Sequence, residues 1–165
     1  MMPAHAGIAA IFLAIAVLGL ATGCRSMTAI AALTWFANLG RLPVAGAWSF
    51  WLASPITVAV FTLFAAGEWV VDKLPRCPNR TDPGPLLVRL LIGGLIGATV
   101  ATAANFYWLG GALTGSLGAW AGTLLGFHLR RYLAVSRGYR DLWVALTEDL
   151  LVTAASLAAL LLATR

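Results

Sequence analysis

The stretch ATGCRSMT (residues 21–28) places an arginine between two long apolar runs, and it sets the pattern for the rest of the chain. From Met1 to Leu39 this Arg25 is the sole Asp, Glu, Lys or Arg residue. An arginine at the centre of a helix that crosses lipid costs at least about 2.5–3.5 kcal/mol. We therefore expect Arg25 at the end of a helix or in contact with an opposite charge.

The composition of the whole chain indicates a membrane protein rather than a soluble globule. Of its 165 residues, 61% are hydrophobic and 10% are charged, and the mean hydropathy is +0.88. Soluble domains are usually about 25% charged, and a chain this short cannot hide so much apolar surface in its own core. The prediction is an all-α integral membrane protein with a single transmembrane helical domain over residues 1–165.

Six apolar runs approach the roughly 20 residues that a helix needs to cross a bilayer, which predicts a compact bundle of about six helices. The second run is short, and it either crosses the membrane or re-enters on the same side. Three helices followed by three would form an inverted repeat, as in many transporters, although the similarity between the halves is limited to GLATG and GAWAG. The predicted helices cover residues 7–24, 26–40, 54–73, 86–107, 110–130 and 142–163.

Basic residues gather in two segments that are separated by two predicted helices, and this sets the expected orientation. The segments are residues 74–85 and 131–141. Cytoplasmic loops of membrane proteins are enriched in Lys and Arg, so both loops are expected in the cytoplasm, with the protein in a bacterial inner membrane. If the second helix crosses, both termini lie outside and Arg25 ends the first span on the cytoplasmic side. If it re-enters, the N-terminus lies inside.

Several classes of function are disfavoured by the sequence. The net charge is +5, but the basic residues flank apolar runs, which indicates membrane loops rather than a nucleic-acid surface. Cys24 lies in an apolar run and Cys77 in a basic loop, so no disulfide is expected. The chain has no spacing typical of a metal site and no HExxH, GxSxG or phosphate-loop motif. We expect no metal and no cofactor, and the balance is against an enzyme.

The ionisable residues of the helices are the candidates for function, because charges inside a membrane are costly. All are predicted within about two turns of the cytoplasmic surface. Arg25 is expected in a cytoplasm-facing polar pocket, paired with Glu68 or Glu148. Since Glu148 and Asp149 project in different directions, at most one of them faces the same partner. The predicted pocket consists of Arg25, Ser26, Glu68, Asp72, Arg89, Glu148 and Asp149.

The predicted outer half of the bundle offers neutral polar side chains instead of charges. Thr102 and Asn105 are three residues apart on the predicted fourth helix and therefore adjacent on its surface. An amide side chain in lipid needs a hydrogen-bond partner. The two residues are predicted either to join helices or to line a path for a solute.

Glycines recur every three or four residues along the predicted fifth helix. Small residues at this spacing allow helix backbones to approach closely where lipid provides no hydrophobic drive. The prediction is packing within the chain, ahead of a dimer interface, with the fifth helix near the centre. The glycines are Gly111, Gly115, Gly118, Gly122 and Gly126.

Four segments of the chain resemble the family of bacterial membrane proteins known as domain of unknown function 4126. They are GLATGCRSMTAIAAL, WLASPITVAVFTLFAAGEWVVDKLP, GSLGAWAGTLLGFHLRR and VALTEDLLVTAASLAAL. The resemblance implies a glycine–x–arginine turn at Gly23 and Arg25 and family glutamates at Glu68 and Glu148. It also implies a multi-pass helical fold in an inner membrane and no particular activity. The chain departs from the family pattern in being compact and in the length of its Pro-rich loop, residues 74–85.

The first functional hypothesis is a small transporter or permease whose pocket binds a small ion or polar solute. Arg25 and Arg89 would attract an anionic group, and Glu68 and Glu148 would pair with them or carry a proton. The alternatives are an accessory or assembly subunit with structural charge pairs and an intramembrane enzyme acting on a phosphorylated lipid head group. The expected partners are the lipid bilayer and a small anionic solute or lipid head group, with no nucleic acid and with an oligomer left open.

Overall fold

The computed structural model describes residues 7–71, 81–133 and 141–164, which form six α-helices and a short 3-10 helix without any strand. This confirms the predicted all-α bundle. The 3-10 helix, Phe50–Ala53, precedes the third α-helix. The helices are α1 (Ile8–Cys24), α2 (Ser26–Asn38), α3 (Pro55–Val71), α4 (Pro83–Ala103), α5 (Trp108–Arg131) and α6 (Asp141–Ala163).

Helix α5 packs mainly against α4 and α1, and α1 also contacts α2, α4 and α6. The directions of the three helices follow from which glycines meet. Gly97 of α4 lies against Gly111 of α5, and Gly93 lies against Gly115, so α4 and α5 are antiparallel. Gly19 of α1 also lies against Gly115, and the contacts of later α1 residues fall further along α5, so α1 and α5 are parallel. In each contact a Cβ atom would meet backbone, so glycine is required for this spacing.

Helix α3 lies at the edge of the bundle and packs mainly against α2. Two side-chain hydrogen bonds show that these helices are antiparallel. Trp35 Nε1 donates to Thr62 Oγ1 (3.1 Å), and Trp69 Nε1 donates to Thr28 Oγ1 (3.1 Å). Helix α6 packs against α1 and, to a smaller extent, against α2.

Helices α2 and α4 are each followed by a residue with a left-handed backbone conformation, which glycine and asparagine adopt more readily than other residues. Gly40 (φ 70°) follows α2, and Asn105 (φ 61°) follows α4. After α4, the Phe106 N–H donates to the Ala101 carbonyl (2.8 Å) and the Asn105 N–H donates to the Thr102 carbonyl (3.0 Å), which is the Schellman pattern. The predicted fourth helix therefore extends too far, because it included Asn105.

The segment between α2 and α3 folds back into the bundle. Leu42, Val44 and Leu52 are almost completely buried and belong to the main hydrophobic cluster. Trp48 Nε1 donates to Thr102 Oγ1 near the end of α4 (3.3 Å), which fixes this segment beside α4. The end of the bundle that contains the α4–α5 turn is thus closed by apolar side chains.

Two of the described helices are long and apolar enough to cross a membrane, namely Pro83–Ala103 and Trp143–Ala163. The helices Ile8–Cys24 and Pro55–Val70 are apolar but shorter. Large apolar side chains also cover much of the outer surface, and Ile56, Leu63 and Leu150 are each at least 70% exposed. These features are weak evidence for membrane association.

The two three-helix segments do not repeat each other's packing. Their first helices, α1 and α4, are antiparallel, as an inverted repeat requires, since Gly97 approaches Ile15 while Arg89 contacts Gly23; the other contacts of the two segments differ. The contact between α4 and α5 is much more extensive than the contact between α1 and α2. The third helices differ too, because α6 packs on α1 whereas α3 packs on α2.

Candidate functional site

A break between α1 and α2 lies inside the bundle, and a single residue forms it. Arg25 has extended backbone angles (φ −139°, ψ 106°), with the last residue of α1 on one side and the first residue of α2 on the other. Arg25 contacts Asp149, which is the ninth residue of α6. At 1.5 Å per residue, Asp149 lies about 12 Å from the start of that helix. The chain therefore turns well before it reaches the end of the bundle, and two helix ends are buried there.

Arg25 forms a buried ion pair with Asp149 of α6. The distance from Arg25 Nη2 to Asp149 Oδ1 is 2.6 Å, and the side chains are 0% and 8% exposed. Burial removes the hydration of both charges, and only a close opposite charge offsets that cost. The contact joins the α1–α2 break to the middle of α6.

The carboxyl end of α1 is satisfied by side chains from two other helices. Arg89 Nη1 of α4 donates to the Gly23 carbonyl (2.8 Å), and Thr123 Oγ1 of α5 lies 3.3 Å from the same oxygen while donating to the Ala119 carbonyl (2.8 Å). The last carbonyls of a helix have no partner within the helix and carry partial negative charge. Arg89 is 4% exposed, and its guanidinium gives the Gly23 carbonyl both a hydrogen-bond donor and a positive charge.

The amino end of α2 is satisfied by a carboxylate from α3. Glu68 Oε1 accepts hydrogen bonds from the Ser26 N–H (2.9 Å) and the Ser26 hydroxyl (2.7 Å), and Oε2 accepts one from the Met27 N–H (2.9 Å). The first N–H groups of a helix lack internal acceptors and attract negative charge. Glu68 thus acts as an N-terminal cap that is provided by a different helix.

We refer to Arg25, Glu68, Arg89 and Asp149 as the break cluster. The four side chains have formal charges that sum to zero, and each binds either another member or a backbone group at the break. Positive charge meets the end of α1, and negative charge meets the start of α2. The arrangement is neutral overall and electrostatically matched to the two helix ends.

The structure changes the predicted pairing of Arg25. We expected Glu68 or Glu148 as its partner, but the ion pair is with Asp149, and both oxygens of Glu68 accept hydrogen bonds from α2. The physical reason is the rotation of α6 about its axis. Asp149 projects towards α1, and Glu148, about 100° away around the helix, is half-buried. The resemblance had pointed to Glu148 at this position.

The other predicted site residues fall in three different places. Ser26 is buried beside Glu68 and Arg89 is buried beside Gly23, so both belong to the same region as Arg25. Asp72 lies outside the described residues. Thr102 lies on α4, and Asn105 is exposed in the turn after it, where its N–H donates to the Thr102 carbonyl, so the two are close but not on one helix.

Three groups that form hydrogen bonds at the site could not be identified from the sequence. The Gly23 carbonyl, the Thr123 hydroxyl and the N–H of Met27 are neutral groups in apolar segments. The one available signal was the position of Thr123 on the glycine-lined face of α5, one residue after Gly122. Groups of three or more metal-binding side chains are not found in the described part of the chain.

The fold and the break cluster define a class of all-α bundle with a charged, interrupted helical hairpin at its centre. The chain belongs to the family described as domain of unknown function (DUF4126), whose model matches residues 11–164. The match covers most of the chain and all four members of the break cluster. A search of curated proteins and a search of solved structures give no match.

Proposed function

We propose that this protein is a small multi-pass membrane permease for a small anionic solute, in which Arg25 binds the anion and Asp149 is its exchangeable counter-charge. The observation that carries the proposal is the buried Arg25–Asp149 pair at an interrupted helix. Transporters commonly build their sites where helices are broken near the middle of the membrane, because the free helix ends there can bind charged groups.

The membrane setting is supported by the outer surface and by the helices themselves. Leucine, isoleucine and tryptophan side chains cover the outside of α3, α4, α5 and α6, and exposed apolar area on this scale is unusual in a soluble protein. The basic segments 74–85 and 131–141 favour a cytoplasmic position for the ends of the helices that flank them. A bacterial inner membrane is the setting that we propose.

A carboxylate already occupies the guanidinium of Arg25, so an anion can bind there only if Asp149 gives way. Uptake of a proton by Asp149 would weaken its attraction for Arg25 and leave the guanidinium available to a carboxylate or phosphate oxygen. Release of the anion and of the proton would restore the pair. The chemistry thus favours coupled movement of one proton and one anion.

The test is uptake by vesicles that contain the purified protein, with labelled chloride, acetate, lactate and phosphate as substrates. We expect uptake of at least one of these anions, driven by an inward proton gradient. Asp149→Asn should reduce this uptake to the rate of protein-free vesicles, because the neutral amide cannot exchange a proton. Glu148→Gln, at the neighbouring position of α6, is the matched control and should keep the activity.

Two results would contradict the permease. One is that the Asp149→Asn variant, with the same unfolding temperature as the parent protein, takes up anions at the same rate as the parent. The other is the absence of uptake of all four anions by the parent protein. Either result favours the second candidate below.

The second candidate is an accessory subunit in which the break cluster only stabilises the fold. The observation in its favour is that every member of the cluster contacts a group of the protein itself. A hydrophobic replacement of a buried ion pair is often neutral or stabilising. Arg25→Met combined with Asp149→Leu should then keep both stability and cellular function, whereas the permease predicts a stable but inactive protein.

A further inference from the structure

We propose that α3 is a lid over the start of α2, with Glu68 as its latch. This inference rests on the proposed function, because the lid covers the helix break on which the permease depends. Its test below is a chemical accessibility measurement without any substrate, so the two proposals can fail independently.

Helix α3 is the least buried of the helices near the break. Between Pro55 and Val70, only Val58 and Ala65 are buried. Its neighbours are α2 and the 3-10 helix, whereas α1, α4 and α5 contact one another along their backbones. An element with few buried apolar contacts is the one expected to open first.

The two ends of α3 are attached by different means. At its amino end, Thr57 Oγ1 donates to the Trp51 carbonyl (2.8 Å), and Asn38 Nδ2 ties the same 3-10 helix to α2 through the Ala53 carbonyl (2.8 Å). At its other end the strongest attachment is Glu68, whose carboxylate accepts three hydrogen bonds from Ser26 and Met27. Hydrogen bonds to a charged group are about twice as strong as neutral ones. The amino end is thus the hinge and the Glu68 end the latch.

Closure of the latch hides the groups next to Arg25. Ser26 is 8% exposed, and both its N–H and its hydroxyl are bonded to Glu68. Removal of the carboxylate leaves these donors without an acceptor from α3, so water must reach them. Separation of this end of α3 from α2 therefore opens the α1–α2 break from one side, while the tightly packed side formed by α5 stays closed.

The experiment measures how fast a thiol reagent reacts with Ser26→Cys in a chain that also carries Cys24→Ser and Cys77→Ser. With Glu68 present, labelling should be slow. Glu68→Ala should increase the rate at least about tenfold, because a charge-assisted attachment is lost. Glu68→Gln, which keeps the shape and part of the hydrogen bonding, should give an intermediate rate.

The matched control is Thr22→Cys in the same background. Thr22 is 0% exposed on α1, close to the break along the chain but bonded within α1 to the Leu18 carbonyl. Its labelling should stay slow with and without Glu68. Equal labelling rates at Ser26→Cys with Glu, Gln and Ala at position 68 would overturn the lid. A parallel increase at Thr22→Cys would also overturn it, since the whole bundle would then be loosened.

Discussion

Helices α1, α4 and α5 are joined by contact between backbones, whereas α3 is joined to α2 by hydrogen bonds in which the α3 partner is a side chain. In the first region, glycines such as Gly93, Gly97 and Gly115 leave no space for a Cβ atom. In the second, the contacts are polar pairs such as Trp35 with Thr62. Close packing has one good arrangement, but a few polar pairs can separate and form again. The difference suggests a rigid core that carries a separable helix.

The break cluster lies at the boundary between these regions and should give the largest effect. Asp149→Ala removes the carboxylate that lies 2.6 Å from the buried Arg25 guanidinium, and we expect it to lower the free energy of unfolding by about 3–5 kcal/mol. Thermal unfolding of the purified protein, followed by tryptophan fluorescence, measures this. The double variant Arg25→Met with Asp149→Leu, which replaces the whole pair by apolar side chains, should be much more stable than Asp149→Ala. A single Asp149→Ala variant as stable as the parent would show that the pair is not a structural link.

A methyl group added to a glycine tests the comparison directly. In Gly97→Ala, the new Cβ would lie 2.8 Å from the Gly111 carbonyl carbon and 3.0 Å from Ile15 Cγ2. We expect a loss of stability of about 1–3 kcal/mol, typical of overpacking.

The matched control for that substitution is Gly67→Ala on α3, where the added Cβ meets nothing within 4 Å. It should raise stability by about 0.5–1 kcal/mol through helix propensity alone. Losses of equal size at both positions would remove the distinction between the two regions.

Loss of the hydrogen bond between Trp35 and Thr62, which joins α2 to α3, should lower stability less than Gly97→Ala. Thr62→Val removes the acceptor of the Trp35 Nε1–H bond while keeping the size of the side chain. Since this is a single hydrogen bond between two neutral groups, we expect a loss of about 1 kcal/mol. The same thermal unfolding assay applies. A loss larger than that of Gly97→Ala would mean that the polar contacts of α3 are as important as the glycine contacts.

The smallest effect is expected at the turn between α4 and α5. Asn105 has a positive φ of 61° and is exposed, and asparagine tolerates this conformation almost as well as glycine. Asn105→Gly should therefore change the free energy of unfolding by no more than about 0.5 kcal/mol. A loss comparable to that of Gly97→Ala would show that the Asn105 side chain has a structural role in this turn.

The helices could be predicted from the sequence because each is an apolar run interrupted by charge, proline or glycine. The limits were less accurate where a turn depends on one residue: the fourth helix ends before Asn105, and the second ends at Asn38. That Arg25 needs a helix end and an opposite charge also followed from the cost of burying a guanidinium.

The partners within the site could not be predicted to the same degree. The choice between Glu148 and Asp149 depends on the rotation of α6. Thr153 and Ser156, four and seven residues after Asp149, share its face of the helix, and this polar stripe was a signal for Asp149 that our prediction did not use. Glu68 caps α2 because α3 lies beside α2, which is a tertiary contact without a local signal. Arg89 donates to the backbone carbonyl of Gly23. Every residue has a backbone carbonyl, so the sequence does not show which one an arginine will bind.

The break cluster also has a consequence for the order in which the molecule is assembled. During synthesis Arg25 emerges with the first hairpin, but Glu68, Arg89 and finally Asp149 are added later, from three other helices. The ion pair between Arg25 and Asp149 can therefore form only after α6 has been made, although Arg25 is in the first part of the chain to be translated.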